Sequence, residues 1–290
     1  MPKIGEWIIS GMSVASRCTC IIVKDLKLCF DMGCIIEGID TIKTVLISHG
    51  HTDHIGCLSY FLSYCNFRDL SKPDCIIPNV CISPFKILCS ASSALDRGTP
   101  NTTIFESLTK CNLIPGDNIN KLPLHSNPNY FISSFFMNHK IPSLGYCIYS
   151  KRNKLKDEYK PLTANDLKIL RNKGILLTNE IYIPEISFTG DSLFSGIIDK
   201  PDFFTSKLLI IECTFLSDVS LKEAHDAFHV HISEISHNQH MFKNDTILLT
   251  HFSDRYSITE IIKYVSKNFE QTSLYNKIYL LHENNISKLS

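Results

Sequence analysis

The chain has 290 residues, 44% of them hydrophobic, enough to bury a large core within one domain or two small ones. Lysine plus arginine and aspartate plus glutamate stand at 29 each. That balance excludes a broad positive field as the means of holding nucleic acid, and leaves phosphate to be met by local clusters or bound cations.

In chain order, short apolar and β-branched runs predict strands at 18–23, 26–30, 44–47, 75–82, 130–136, 145–149, 186–189, 208–213, 246–250 and 277–281. Helical patterns fall between them at 53–64, 84–95, 164–173, 233–242 and 258–269, the last with Ser257 as its N-cap. Strands crowd the first half while helices recur throughout, so the expectation is a layered α/β domain with its sheets inside. One stretch differs in kind. Residues 151–179 carry Lys151, Arg152, Lys154, Lys156, Lys160, Lys168, Arg171 and Lys173, with Gly174 closing the helical part, and read as an exposed basic arm inserted into a single domain of 1–290.

Twelve cysteines are scattered without a C-x-x-C. Cys18 and Cys20, separated by one residue, share a strand face and suit core packing better than a ligand pair. The opening MPKIGEWIISG lacks a charged head followed by an apolar stretch, so no secretory signal is seen, and reduced thiols in a cytoplasmic or nuclear protein are expected. No apolar run reaches the roughly 20 residues of a bilayer span, so no membrane partner is expected.

The strongest local signal is VLISHGHTDHIGCL. An apolar strand ends at Ser48 and delivers His49, His51, Asp53 and His54 before a helix begins, which is where α/β proteins place ligands. Imidazole and carboxylate are the donors that suit a divalent zinc ion, with His49 and His51 serving one metal and Asp53 and His54 a second. Four residues cannot complete two coordination shells. The chain offers more at other strand ends: His139 after 130–136, Asp191 after 186–189 and His251 after 246–250.

HGHTDH, HKIPSLGY, FTGDS, ECTF and THFSDRY occur here in the order seen in the tRNase Z family, which the chain resembles over most of its length. The resemblance implies an αββα sandwich of the metallo-β-lactamase fold, two mixed sheets face to face with helices outside. It also implies two zinc ions per subunit. His49, His51 and His139 would hold one ion, Asp53, His54 and His251 the other, with Asp191 bridging. Two adjacent zinc ions lower the pKa of a shared water and withdraw charge from a phosphodiester, with Asp53 steering the proton.

Protonating the departing ribose oxygen calls for a histidine, and DAFHVHISEI offers His229 and His231; the family pattern favours His229, with Glu212 of ECTF holding its tautomer. Arg255 and Ser253 of the FSDRY run would grip a phosphate. Lys151, Arg152 and Lys154 of the arm would contact the tRNA backbone. By the same resemblance the reaction is zinc-dependent removal of the 3′ trailer from precursor tRNA, leaving a tRNA 3′-hydroxyl and a trailer 5′-phosphate, carried out by a homodimer. The alternatives are a metallo-hydrolase of a small thioester, lactone or cyclic nucleotide, or a non-catalytic module; THFSDRY and the basic arm favour the polyanionic substrate.

Overall fold

Two β-sheets lie face to face in the computed structural model, which describes residues 2–98 and 111–289. The first runs in chain order through β1 (Lys3–Ile4), β2 (Trp7–Val14), β3 (Cys18–Val23), β4 (Leu28–Phe30), β5 (Thr44–Leu46), β6 (Asp74–Ile77) and β7 (Asn112–Pro115). It is antiparallel from β1 to β4 and parallel from β4 to β7. The second holds β8 (Leu122–Leu124), β9 (Asn127–Met137), β10 (Ser143–Leu155), β11 (Thr178–Phe188), β12 (Leu208–Glu212), β13 (Thr246–Thr250), β14 (Ile278–His282) and β15 (Asn285–Lys288), again in order. Here β11 to β14 are parallel and the flanking strands antiparallel.

Burial on both faces explains why the strands read as continuous apolar runs instead of alternating with polar residues. In β3, Ile21 and Val23 face the layer between the sheets, while Cys20 and Ile22 face the helices Leu58–Phe67 and Asn79–Arg97. In β12, Leu208 and Ile210 point into the middle and Leu209 and Ile211 meet the helices Ile232–His237 and Ile258–Phe269. The middle layer closes on ring contacts such as Phe30 with Phe188, centroids 4.8 Å apart. Each such fully buried side chain contributes roughly 1.5–3 kcal/mol. The result is four layers, helix–sheet–sheet–helix. All twelve cysteines are free, eight of them buried and four half-buried. No described helix is long and apolar enough to cross a membrane.

The helix at 258–269 begins and ends where its pattern predicts, because its signal is local: Ser257 accepts from the Glu260 N–H in a capping box, and Ile261, Val265 and Phe269 repeat every four residues onto the core. Other boundaries shift. The run at 75–82 is strand only through Ile77, and a helix starts at Asn79. Its first amide is capped by the Asp117 carboxylate (3.0 Å), a partner 38 residues away that no local pattern reveals. The helix expected at 53–64 is two pieces, Thr52–Ile55 and Leu58–Phe67. That expected at 233–242 is Ile232–His237 followed by a short 3₁₀ turn. The strands expected at 145–149 and 186–189 are the inner ends of a long hairpin, β10–β11. Its outer end, a short 3₁₀ turn and the helix Ala164–Asn172 make up residues 151–179, and none of that helix's residues is buried. Strand β2 escaped notice because Gly11 interrupts it; a Cβ there would fall 3.0 Å from Leu281 Cδ2 and 3.1 Å from the Cys20 carbonyl.

The topology sends the chain segments that carry the candidate ligands to one edge. Strands β4, β5, β11, β12 and β13 all end there, and β9, antiparallel to β10 and so aligned with β11, ends there too.

Candidate metal centre

The loop that follows β5 is held from beneath. Asp31, just past β4, accepts from the Ser48 N–H (2.6 Å), the Ser48 hydroxyl (2.8 Å) and His54 Nδ1 (2.7 Å), and is fully buried. The Met32 N–H donates to the His54 carbonyl (2.6 Å), and a Cβ on Gly33 would lie 1.8 Å from the Asp53 carbonyl oxygen. Backbone and carboxylate together fix where His49, His51, Asp53 and His54 point.

All seven side chains marked at strand ends come together. His49, His51, His139 and Asp191 offer ligand atoms within 4.8 Å of one another, and so do Asp53, His54 and His251. Asp191 stands between the groups, its Oδ2 lying 3.7 Å from His49 Nε2, 3.4 Å from His54 Nε2 and 3.4 Å from His251 Nε2.

The far side of each ring decides what the near side can do. His54 Nδ1–H donates to Asp31. The Ser48 hydroxyl also donates to Asp31, so its oxygen accepts from His49 Nδ1–H (2.9 Å). The Thr214 hydroxyl donates to Glu212 Oε2 (2.5 Å), so its oxygen accepts from His251 Nδ1–H (2.9 Å). His139 Nδ1–H donates to the Phe228 carbonyl (3.1 Å). Four imidazoles are thereby left with Nε2 lone pairs turned inward, His54 Nε2 and His251 Nε2 only 3.2 Å apart. Lone pairs so close repel unless a cation stands among them.

The carboxylates favour that cation. Burial would lower the His54 pKa, but Asp191 and Asp31 hold it well above the ordinary range, so that until a metal binds a proton takes the cation's place on the inward Nε2. Burial would raise Asp191, yet the adjacent His251 and His54 rings keep it well below the usual carboxylate range. Asp53 is likewise held low, against burial, by hydrogen bonds to His251 and His54. Imidazole nitrogens and carboxylate oxygens converging from rigid strand ends fit a divalent metal of borderline character. The fit is reinforced by left-handed backbone at Asp31 (φ 56°), Phe228 (φ 63°) and His251 (φ 59°), strain of about 1–3 kcal/mol each that collects where geometry matters.

Beside the cluster, Glu212 Oε1 and Oε2 lie 3.0 and 3.1 Å from His229 Nδ1. The same carboxylate accepts from the Ser192 N–H (2.8 Å). Burial would lower His229, but the Glu212 charge and hydrogen bond carry its pKa up to about 9. With Nδ1–H committed to Glu212, His229 does not lend that nitrogen to a metal. Of the two histidines in DAFHVHISEI only His229 faces the cluster: His231 Nε2 donates to the Leu216 (3.0 Å) and Val219 (3.1 Å) carbonyls, and its Nδ1 accepts from Ser233.

Arg255 and Ser253 sit at the rim, Arg255 Nε donating to Ser253 Oγ (3.3 Å) with the guanidinium 5.6 Å over the Phe215 ring. Lys151, Arg152 and Lys154 are not brought to the cluster. They lie at the far end of β10, whose Ser143 end touches Asp191, roughly 25–35 Å away at the rise of a strand. Lys151 pairs with Glu180 there, and Arg152 approaches Glu185 at 4.0 Å.

Asp31, Ser48 and Thr214 were missed in the sequence. Asp31 had a usable signal, a carboxylate directly after the apolar run 26–30, the pattern that marked Asp191. Thr214 had none beyond standing two residues from Glu212, on the same side of an extended chain.

Two mixed sheets between helical layers, with a His/Asp cluster where strand ends meet, define a metal-site protein of the metallo-β-lactamase fold; the family model described as Metallo-beta-lactamase superfamily matches residues 35–73. Among relatives, tRNase Z TRZ1 of Arabidopsis thaliana is 34% identical over 267 residues, 91% of either chain. The chloroplastic tRNase Z TRZ2 of the same plant is 32% identical over 91% of this chain and 73% of its own. The chain belongs to the tRNase Z family. Its fold is shared with human tRNase Z, short form, at TM-score 0.59 and 15% identity, covering 97% of this chain and 99% of that one. YhfI of Bacillus subtilis, a metallo-beta-lactamase fold protein, superposes at TM-score 0.60 and 14% identity, with the same coverage.

Proposed function

We propose that this chain is an endoribonuclease that hydrolyses precursor tRNA to remove the 3′ trailer, leaving a 3′-hydroxyl on the tRNA and a 5′-phosphate on the trailer. The observation that carries the reading is Asp191 Oδ2 standing between two groups of metal-type donors, in a chain alike over 91% of its length to a protein named tRNase Z. His49, His51 and His139 would hold one zinc ion, Asp53, His54 and His251 a second, and Asp191 would bridge them. When bound, the pair supplies Lewis acidity toward a water and a phosphoryl oxygen.

The chain's own residues do the rest. Asp53 Oδ2 takes the Ser16 N–H (2.9 Å) and stays ionised, so it is placed to receive a proton from an attacking water. His229, kept protonated by Glu212, gives its Nε2 proton to the departing 3′-oxygen, the hardest leaving group of the reaction. Arg255 and Ser253 meet the phosphate at the rim. The body is one domain over 1–290, with 151–179 as an arm whose Lys151, Arg152 and Lys154 touch the tRNA backbone far from the cut. In a homodimer that arm would serve the partner's site. The compartment is cytoplasmic or nuclear. A small-molecule thioester, lactone or cyclic nucleotide is disfavoured, since relatives over nearly the whole chain carry the tRNase Z name.

The test is incubation of the zinc-loaded protein with a labelled 3′-extended precursor tRNA, expecting a single cut after the discriminator nucleotide. Asp191→Ala should abolish it and empty the metal sites in elemental analysis, with circular dichroism unchanged. An inert wild type, or an active Asp191→Ala protein, would refute the reading.

A further inference from the structure

Phe215 is an aromatic residue at the mouth of the centre for which the reaction as described has no use. Its neighbours Leu216 and Phe252 are fully buried, whereas its own side chain is only half-buried. The backbone is fixed on both sides: the Phe215 N–H donates to the Val230 carbonyl (3.3 Å), and its carbonyl accepts from the Ile232 N–H (2.9 Å). The ring therefore has a set position. Its centroid is 6.1 Å from that of His229, edge to face, and the Arg255 guanidinium covers it at 5.6 Å. Arg255 is exposed, and among the described residues it makes no ion pair with a carboxylate.

We infer that Phe215 and Arg255 form a stacking seat for the base of the nucleotide whose 3′-oxygen leaves. The inference rests on the precursor-tRNA reading above and on His229 as the proton donor. A nucleotide that sets its 3′-oxygen against His229 hangs its base from the same ribose, and the Phe215 ring lies within that reach. Two stacking contacts of roughly 3.5 Å each need about 7 Å between ring and guanidinium. Arg255 must therefore rise by an ångström or two off the Phe215 ring, which a side chain held, among the described residues, by one hydrogen bond to Ser253 and by stacking over Phe215 and Tyr256 permits. Its flat face then caps the base from the other side, and its edge N–H groups stay free for the phosphate. Stacking is indifferent to base identity because every base has a π-face, so the seat sets no preference among the four bases at that position.

The probe is a 5′-fluorescein RNA minihelix ending at the discriminator nucleotide, with that base present or replaced by an abasic ribose. Its binding to the zinc-loaded protein is followed by anisotropy. Removing the base should weaken wild-type binding on the order of tenfold. Phe215→Leu, which keeps apolar bulk without a π-face, should bring that ratio close to one, and Phe215→Trp should restore it. Thermal melts identify variants that have lost the fold. A wild-type ratio near one, or a wild-type ratio surviving in Phe215→Leu, overturns the seat. Failure of the wild type to cut a 3′-extended precursor overturns the reading beneath it, whereas cleavage together with a ratio of one removes the seat alone.

Discussion

Replacing Asp31 by asparagine should weaken metal binding far more than it weakens the fold. Asp31 is acceptor to three donors: the Ser48 N–H, the Ser48 hydroxyl and His54 Nδ1–H, at 2.6, 2.8 and 2.7 Å. Through Ser48 it also sets the tautomer of His49, so one carboxylate orients a ligand in each donor group. Asparagine keeps the shape and turns one oxygen into a donor. If the new NH₂ faces the Ser48 amide, a buried N–H loses its partner. If it faces His54 Nδ1, that nitrogen must become the acceptor, and the proton moves to Nε2, where a metal would bind. Either arrangement costs about 1–3 kcal/mol, or roughly 10–100-fold in metal affinity. The fold loses less, because burial already pushes the Asp31 pKa up against the pull of His54 and Ser48, so the charge is held at a desolvation cost that asparagine removes. Competition with a chromophoric zinc chelator gives the affinities, and thermal melts of the metal-free proteins give the stabilities. Zinc affinity within about twofold of wild type would refute the role given to Asp31.

Glu212→Gln should slow precursor cleavage by about 10–100-fold, with a much smaller loss on bis(4-nitrophenyl) phosphate, whose leaving group needs no proton. With the carboxylate gone, burial lowers His229 from about 9, so lowering the pH should recover part of the rate; equal losses on both substrates would mean that Glu212 only holds structure. Neutralising Lys151, Arg152, Lys154 and Lys156 together should weaken precursor binding and flatten its log–log salt slope by about two to three. The pairing of Lys151 with Glu180 limits the effect, and hydrolysis of the small ester should not move. Gly33→Ala should destabilise by at least about 3 kcal/mol in denaturant melts, because the new Cβ would fall 1.8 Å from the Asp53 carbonyl.

What the sequence revealed of the fold follows how local each signal is. The capping box at Ser257 and the fourfold repeat after it contain everything that fixes the helix Ile258–Phe269. The start at Asn79 depends on Asp117, 38 residues away, which no window of neighbouring residues shows. The break after Ile55 falls at Cys57, whose backbone leaves helical values (φ −95°, ψ 2°) one residue after Gly56. Both strands of the β10–β11 hairpin run past the apolar stretches that mark their inner ends, because the outer half of β10 carries Lys151, Arg152 and Lys154 and so has the polar pattern of an exposed arm, not that of a buried strand.

The centre was legible for a different reason. Inward-pointing donors must stand at strand ends to converge from both sheets, so His49, His139, Asp191 and His251 each follow an apolar run, and that juxtaposition survives in one dimension. The residues behind them leave fainter marks. Asp31 and Thr214 act only through the second nitrogen of an imidazole, and their meaning depends on a hydrogen-bond direction, which has no counterpart in residue spacing. Yet those directions separate a metal centre from a patch of accidental histidines. Were the outward nitrogens of His49, His54, His139 and His251 facing donors, the inward nitrogens would carry hydrogens and the cluster would repel a cation. Because each faces a carboxylate, a carbonyl or a hydroxyl whose own proton is committed elsewhere, Nδ1 keeps its hydrogen and the inward Nε2 is the nitrogen left to a cation, a proton on His54 or a metal in its place.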